Sequence, residues 1–296
     1  MSNIQNFWMP SDVLWESEEL EMEIWHRIMF SKQEAVDNIL NGLGIKYKKS
    51  PLPGEHYVIT FEIAETDRRW PQVAELIREK NAPDLYNTAF TPQEIQAAEW
   101  VRLMPVFEQG YPQPKETWVE NPINYENECP QCGVGYRQKA PFRLAKEPRL
   151  GKHDFMCLYW TYTLFCTPKV LETLKAHQIR GYEVWEAIIH RTNQPSKVVS
   201  QLVFPNVAAP GLADVDKLQP ETCPQCGITK YAYHKRGYMH LKREALRPDT
   251  DIQLTHEWFG SGGHSGFREI LVSNRLARLI LENGWRGVAL KPVEVI

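Results

Sequence analysis

Four of the six cysteines fall in two copies of one pentapeptide, Cys129-Pro-Gln-Cys132-Gly and Cys223-Pro-Gln-Cys226-Gly. In a reducing compartment, paired CxxC elements read first as metal ligands and second as redox centres. The glycine after each second cysteine lets the turn adopt positive φ, so that backbone amides can point at the sulfurs. Four thiolates around Zn²⁺ would make a closed tetrahedral site with no open position, hence a structural one. A redox CxxC of the thioredoxin type opens a helix beside an apolar strand, and neither copy is followed by a helical pattern. Cys157 and Cys166, in the apolar stretch around Phe155–Phe165, read as buried packing residues.

Three other constellations carry possible chemistry. His256-Glu257-Trp-Phe-Gly-Ser-Gly-Gly-His264 offers two histidines, a carboxylate and a glycine-rich turn, material for hydrolysis or a second metal. The histidines are eight apart rather than the four of HExxH, and the glycines lack phosphate-loop spacing, so a turn between scaffold strands explains the segment better. Lys230-Tyr-Ala-Tyr-His-Lys-Arg-Gly-Tyr-Met-His-Leu-Lys-Arg243 interleaves cations with tyrosines, as a nucleic-acid surface does. Alternation of a half-exposed strand, and cations that offset a thiolate site, account for it better. Near the amino terminus, Trp15, Glu18, Glu19, Glu21 and Trp25 combine aromatic anchors with acidic charge, the composition of an interface for a basic protein partner.

Elements must bring these residues together across 94 positions. A second internal match supplies them: Thr163–Val184 aligns without gaps on Glu269–Leu290. Thr167 matches Ser273, Val170 matches Leu276, Leu174 matches Ile280, and Arg180-Gly181 matches Arg286-Gly287. Each copy reads as a short apolar strand, an N-cap at Thr167 or Ser273, a helix with one apolar stripe, a glycine break and a second strand. The chain therefore reads as one module used twice: knuckle, connector, then strand–helix–strand. Ahead of it, Ser31-Lys-Gln-Glu34 opens a helix to about Leu43, 56–63 alternates as a strand, Trp70-Pro71 opens a helix to about Lys80, and Thr91-Pro-Gln-Glu94 opens another. Gln109–Pro122, rich in proline, reads as a linker, and Pro205–Pro220 as a surface loop.

Charge divides along the same line. The net charge of −3 splits into −8 for residues 1–118 and +5 for the remainder, so charge alone does not suggest a nucleic-acid binder, which would usually show a strongly basic face. Hydrophobic and charged fractions of 43% and 24% are those of an ordinary globular chain. No run approaches the ~18 apolar residues of a membrane helix. MSNIQNFWMPSD lacks a basic segment followed by an apolar one, so no secretory signal is expected and the cytoplasm is the default.

Twin CxxCG motifs, each tied to a strand–helix–glycine segment, resemble the double-CxxCG family of bacterial immunity proteins from polymorphic-toxin systems. Phe267-Arg-Glu-Ile-Leu-Val-Ser-Asn-Arg275, Trp285-Arg-Gly287 and Lys291-Pro-Val293 are similar to the closing segment of a broader immunity family, and Thr91–Arg102 to a segment preceding the first knuckle. The resemblance spans roughly residues 55–296; the first copy departs from it, with Glu186-Ala187 where the second has Pro-Val. It implies a protein that binds and neutralises a cognate toxin without catalysis. The expected architecture is α+β: an acidic α+β region over 1–118, then a duplicated zinc-knuckle module over 119–296, with copies at about 125–190 and 219–296. One structural Zn²⁺ on Cys129, Cys132, Cys223 and Cys226 is expected, with a toxin as partner and neither membrane nor nucleic acid. The rival readings are a zinc-dependent nucleic-acid-binding module and a hydrolase built on His256, Glu257 and His264.

Overall fold

The computed structural model describes residues 21–31, 34–53, 57–117, 123–261 and 266–296. It is α+β and divides into two units, one running through Thr91 and taking in Lys235–Gly237, the other holding Pro92–His234 and Tyr238–Ile296. No helix among the described residues is long and apolar enough to cross a membrane.

In the first unit, β1 (Glu23–Ser31), β2 (Lys48–Pro51), β3 (Tyr57–Ala64) and β4 (Asp84–Ala89) form an antiparallel sheet of order β2-β3-β1-β4. Alternation sends His26, Ile28 and Phe30 of β1 and Ile59, Phe61 and Ile63 of β3 to the buried face. Helices α1 (Glu34–Gly42) and α2 (Trp70–Lys80) add Val36, Leu40, Val73 and Leu76 to the same core. Pro71 sits in the first turn of α2, and Asn81 closes it in the left-handed region at φ 48°. The sequence reading misses β1, because the acidic run up to Glu23 hides the alternation that begins there.

The second unit opens with α3 (Pro92–Ala97) and β5 (Trp100–Pro105), then the short strands β6 (Tyr125–Glu126), β7 (Arg137–Gln138), β8 (Arg143–Leu144), β9 (Phe155–Met156) and β10 (Leu164–Cys166). Next come α4 (Pro168–Ala176) and the hairpin β11 (Glu183–Ile189) and β12 (Gln194–Val203). The chain then runs through β13 (Glu221–Thr222), β14 (Thr229–Tyr231), β15 (Met239–Leu241), β16 (Ile252–Leu254), β17 (Trp258–Phe259) and β18 (Ile270–Ser273), ending on α5 (Asn274–Glu282) and β19 (Val288–Val295). Division falls after Thr91 and not at residue 118. All six residues of β5 are buried, because β5 is the central strand between β18 and β19. The proline-rich stretch that reads as a linker follows this strand and so lies inside the unit.

Two five-stranded sheets result, of order β8-β11-β12-β10-β9 and β15-β19-β5-β18-β16. In each, the first pair is parallel and the other three are antiparallel. Register matches as well: Leu202 lies opposite Leu164 and Val184, and Leu103 lies opposite Ile270 and Leu290, the positions that the sequence alignment equates. The source of the central strand differs. β12 follows β11 through a hairpin, whereas β5 reaches its sheet from the start of the unit. Of the two expected N-caps, Ser273 accepts the Leu276 N–H at 3.4 Å, while Thr167 makes no cap bond and its hydroxyl has no partner among the described residues.

The arginine–glycine pairs latch one sheet to the edge of the other. The Arg286 carbonyl accepts from the amides of Asp154 and Phe155 at 2.9 and 3.0 Å, and the Arg180 carbonyl accepts from Asp251 and Ile252 at 3.0 and 3.1 Å. Gly181 and Gly287 have φ of 102° and 101°, and a Cβ on either would overlap backbone of Ile252 or Phe155. Gly287→Ala should therefore lower stability by about 2 kcal/mol or more, read from the urea midpoint. Gly110→Ala, at φ 72° with open space around it, should cost only the backbone strain of ~1 kcal/mol.

One buried charge pair anchors the second sheet. Arg102 of β5 donates to Glu269 at 3.1 Å and to the His234 carbonyl at 3.2 Å, with both charged side chains almost fully buried. Tyr162 donates its hydroxyl to the other Glu269 oxygen at 2.8 Å. Burial, with Arg102 and Lys291 nearby, holds the His234 imidazole down to about 3. Glu269→Gln leaves the guanidinium without its carboxylate and should cost ~3–5 kcal/mol. The double change Arg102→Met/Glu269→Leu should cost less than the single one in the same denaturation experiment.

Candidate metal centre

Each CxxCG motif folds as a tight knuckle. The Gly133 amide donates to the Cys129 carbonyl at 2.8 Å and the Cys129 amide to the Val134 carbonyl at 3.0 Å. The second copy repeats both bonds, Gly227 to Cys223 at 2.9 Å and Cys223 to Ile228 at 3.0 Å. Gly133 and Gly227 take the positive φ that the motif demands, 65° and 73°. The second knuckle is held between β13 and β14, and β14 pairs in parallel with β17.

The knuckles face each other sulfur to sulfur. Cys129 Sγ lies 3.9 Å from Cys223 Sγ, Cys132 Sγ lies 3.6 Å from Cys226 Sγ, and all four lie within 4.8 Å of one another. None is in a disulfide. The four form a group that could hold a metal ion. Three are buried, together with Val134 and Trp258, and Cys226 is exposed. Backbone hydrogen bonds from the Cys132 end of its turn hold the Cys129 thiol below its usual range. Those from Cys226 bring Cys223 down to about 7, and burial pushes Cys132 up to about 12. Cys129 and Cys223 are thus shifted toward the thiolate, and loading a metal must expel the proton that burial keeps on Cys132.

Around the sulfurs the walls are aromatic and cationic. Tyr136 meets Trp258 edge-on at 4.8 Å and donates its hydroxyl to the Gly266 carbonyl at 2.8 Å. A side chain at Gly266 would collide with Val134, so only glycine fits that approach. Lys230 is buried, and its ammonium donates to the Cys132 carbonyl at 3.2 Å. The Arg268 guanidinium lies 4.6 Å over the Trp258 ring, and burial lowers its pKa. The sequence reading takes Lys230 as part of a stretch that suits either phosphate contact or the offset of a thiolate site, and it does not single out Trp258 or Arg268. Lys230, four residues beyond Cys226 on an alternating strand, is the one with a readable signal.

Among the described residues, the other candidates do not assemble into sites. Trp15, Glu18, Glu19 and His264 lie outside the described residues. Glu21 is exposed, but Trp25 sits in β1 between Ala64 and Asn87, half-buried, its indole N–H without a partner among the described residues. His256 is exposed, and Glu257 is buried with one oxygen accepting from the amides of Gly211 and Leu212 at 2.8 and 3.0 Å. In the basic stretch, Tyr233 packs on Phe267 at 5.2 Å and Tyr231 on Phe259 at 6.2 Å. Arg243 holds Glu99, His240 holds Asp214 and Glu294, and Arg236 holds Glu65. Cys157 and Cys166 are buried as expected, with thiol pKa values pushed up by burial.

No family model and no curated protein compared with this chain gives a match.

Cys132→Ser and Cys226→Ser should each reduce bound metal to a small fraction of that in the unaltered protein, measured by inductively coupled plasma mass spectrometry on the purified chain. Cys157→Ser should leave the metal content unchanged. Equal metal content in all three variants would remove the four sulfurs as the site.

Proposed function

We propose that this protein binds and neutralises a cognate toxin protein, and that Cys129, Cys132, Cys223 and Cys226 hold one structural zinc ion that staples its second unit. The observation that carries the reading is the convergence of the two CxxCG motifs on one sulfur cluster. These motifs are what the resemblance to double-CxxCG immunity proteins rests on, and their meeting gives the pair one purpose.

Zinc is favoured by the donor set. A tetrahedral Zn²⁺ with bonds of ~2.3 Å to four thiolates has sulfur–sulfur edges of ~3.8 Å. The cross-motif separations of 3.9 and 3.6 Å need little adjustment to match. Sulfur-only sets of this shape select zinc over the oxygen-seeking cations. The site would carry a formal charge of about −2, and the buried Lys230 and the half-buried Arg268 nearby offset it. Four protein ligands leave no position for substrate, so the metal serves folding rather than reaction.

The rival readings have less to stand on. In the 230–243 stretch Tyr231 and Tyr233 are engaged with phenylalanines, Tyr238 with Glu94, Arg236 and Arg243 with carboxylates and Lys230 with the Cys132 carbonyl, which leaves less of it for bases and phosphates. Glu257 is committed to two backbone amides, so a hydrolase would have to break a structural contact to use it.

Purification of the tagged chain from its native cells tests the reading, with mass spectrometry and the 260/280 nm absorbance ratio on the eluate. The expected result is a stoichiometric protein partner that is lethal when expressed alone and harmless when co-expressed with this chain. A partner-free eluate rich in nucleic acid overturns it.

A further inference from the structure

Beside the first five-stranded sheet, an exposed aromatic pair adjoins cations that hold no carboxylate. Tyr111 and Tyr159 are 40% and 36% exposed, with ring centroids 5.0 Å apart. Backbone bonds fix the pair: Tyr159 N–H donates to the Gly110 carbonyl and Gln109 N–H to the Cys157 carbonyl, both at 2.9 Å. Phe107 stacks on His153 just beneath, at 3.7 Å.

The same segment clasps the turn that follows β8. Gln109 Nε2 donates to the Arg149 carbonyl at 2.6 Å, and the Arg149 amide donates back to Gln109 Oε1 at 3.1 Å. The Gln113 amide donates to the Arg143 carbonyl at 3.0 Å. Arg143–Lys152 is thereby held alongside the two tyrosines, and it carries Arg143, Lys146, Arg149 and Lys152 against a single carboxylate, Glu147. Glu147 is occupied by the Ser196 hydroxyl at 2.6 Å and the Lys197 amide at 2.9 Å. Among the described residues none of the four cations forms an ion pair, although the Arg143 guanidinium donates to Asn193 Oδ1 at 2.5 Å and His190 Nδ1 at 3.2 Å and so lends charge rather than a free donor, whereas Arg243, Arg247 and Arg275 of the same unit each hold a carboxylate.

Rigid tyrosines flanked by arginine are the composition of energetic anchors in protein interfaces. Uncompensated cations at the rim steer a partner of opposite sign. We infer that Tyr111 and Tyr159, with Arg143, Lys146, Arg149 and Lys152, form the surface that docks a partner protein through an acidic patch on that partner. This rests on the reading of the chain as a binding protein and adds the partner's chemistry. Charge decides against a nucleic acid as the occupant. Residues 119–296, which carry this face, have an excess of only five positive charges, well short of the strongly basic surface that an extended polyanion requires, whereas a local acidic patch on a protein needs only the local cations.

The test is fluorescence anisotropy of the full chain with three labelled probes: a glutamate-rich peptide with a central tryptophan, its lysine-rich counterpart, and a single-stranded oligonucleotide. The acidic peptide should bind with an affinity that falls as salt rises, and the lysine-rich one should not bind. Arg149→Glu/Lys152→Glu and Tyr111→Ala/Tyr159→Ala should each weaken that binding by about tenfold or more. Melting temperature and metal content, unchanged in both variants, establish that the fold is intact. Acidic-peptide binding that both variants leave unaltered overturns the surface, as does an oligonucleotide that binds more tightly than the peptide and is lost in the variants. A partner recovered from cells whose binding ignores both variants also overturns the surface while leaving neutralisation standing. Peptide binding through this face with no lethal partner in cells supports the surface and counts against neutralisation alone.

Discussion

Two turns 94 residues apart must put four sulfurs within 4.8 Å of one another, and the second unit is arranged around that meeting. Sulfurs at this spacing repel once ionised, so the convergence is favourable only with a cation among them or with some thiols protonated. The downward shift of Cys223 and the upward shift of Cys132 set these two apart along those lines. A metal would replace this division with four equal bonds and close a loop of nearly a hundred residues. Loop-closure entropy rises only slowly with length, so a clamp this far apart in sequence still restricts the unfolded chain strongly. Val134, Trp258 and Tyr136 keep water from three of the sulfurs and leave Cys226 at the surface.

Two sheets flank that point, and their interlock explains why neither is long. Strands of two to four residues would be marginal alone. Here each sheet gains a longer central strand, β12 or β5, and its edge is held by the arginine–glycine latch of the other segment. The apolar space between them is lined from both sides, with Phe155 and Leu202 facing Leu103 and Ile270. Helices α4 and α5 add Leu174 and Leu276. Loss of either latch therefore exposes a core that both sheets share, which makes the unit cooperative rather than a string of modules.

The sulfur cluster was legible in the sequence because its chemistry is local: cysteine spacing and the following glycine define each knuckle with no knowledge of the fold. The strand–helix–strand segments were legible for a similar reason, since Leu164–Cys166, Pro168 and Gly181 each act within a few residues. What escaped is non-local. β5 carries Arg102 amid apolar residues and precedes a proline-rich stretch, and nothing in its own six residues says that its partners lie more than 160 positions away. β1 escaped because the buried face of its sheet includes His26, held by Glu65 and Asp84 at 2.9 Å, where an apolar residue would have completed the alternation. Lys230 reads as a surface cation until β14 is seen to bury it beside the sulfurs.

The matched sheets also separate frame from specialisation. One position before Leu202 stands Gln201, whose cross-strand neighbours are Phe165 and Trp185; one position before Leu103 stands Arg102, whose neighbours are Leu271 and Lys291. Gln201 is fully buried and satisfied by modest bonds, accepting the Phe142 amide and donating to Gln138. Arg102 needs a carboxylate, a tyrosine that steadies that carboxylate and a histidine kept neutral. Equal register with unequal charge means that strand pairing cannot be what requires Arg102 and Lys291. Burying two cations there is costly, and replacing such groups by apolar ones is often neutral or stabilising. What fixes Arg102 in place is therefore its own set of partners, Glu269, Tyr162 and His234, and not the strand ladder.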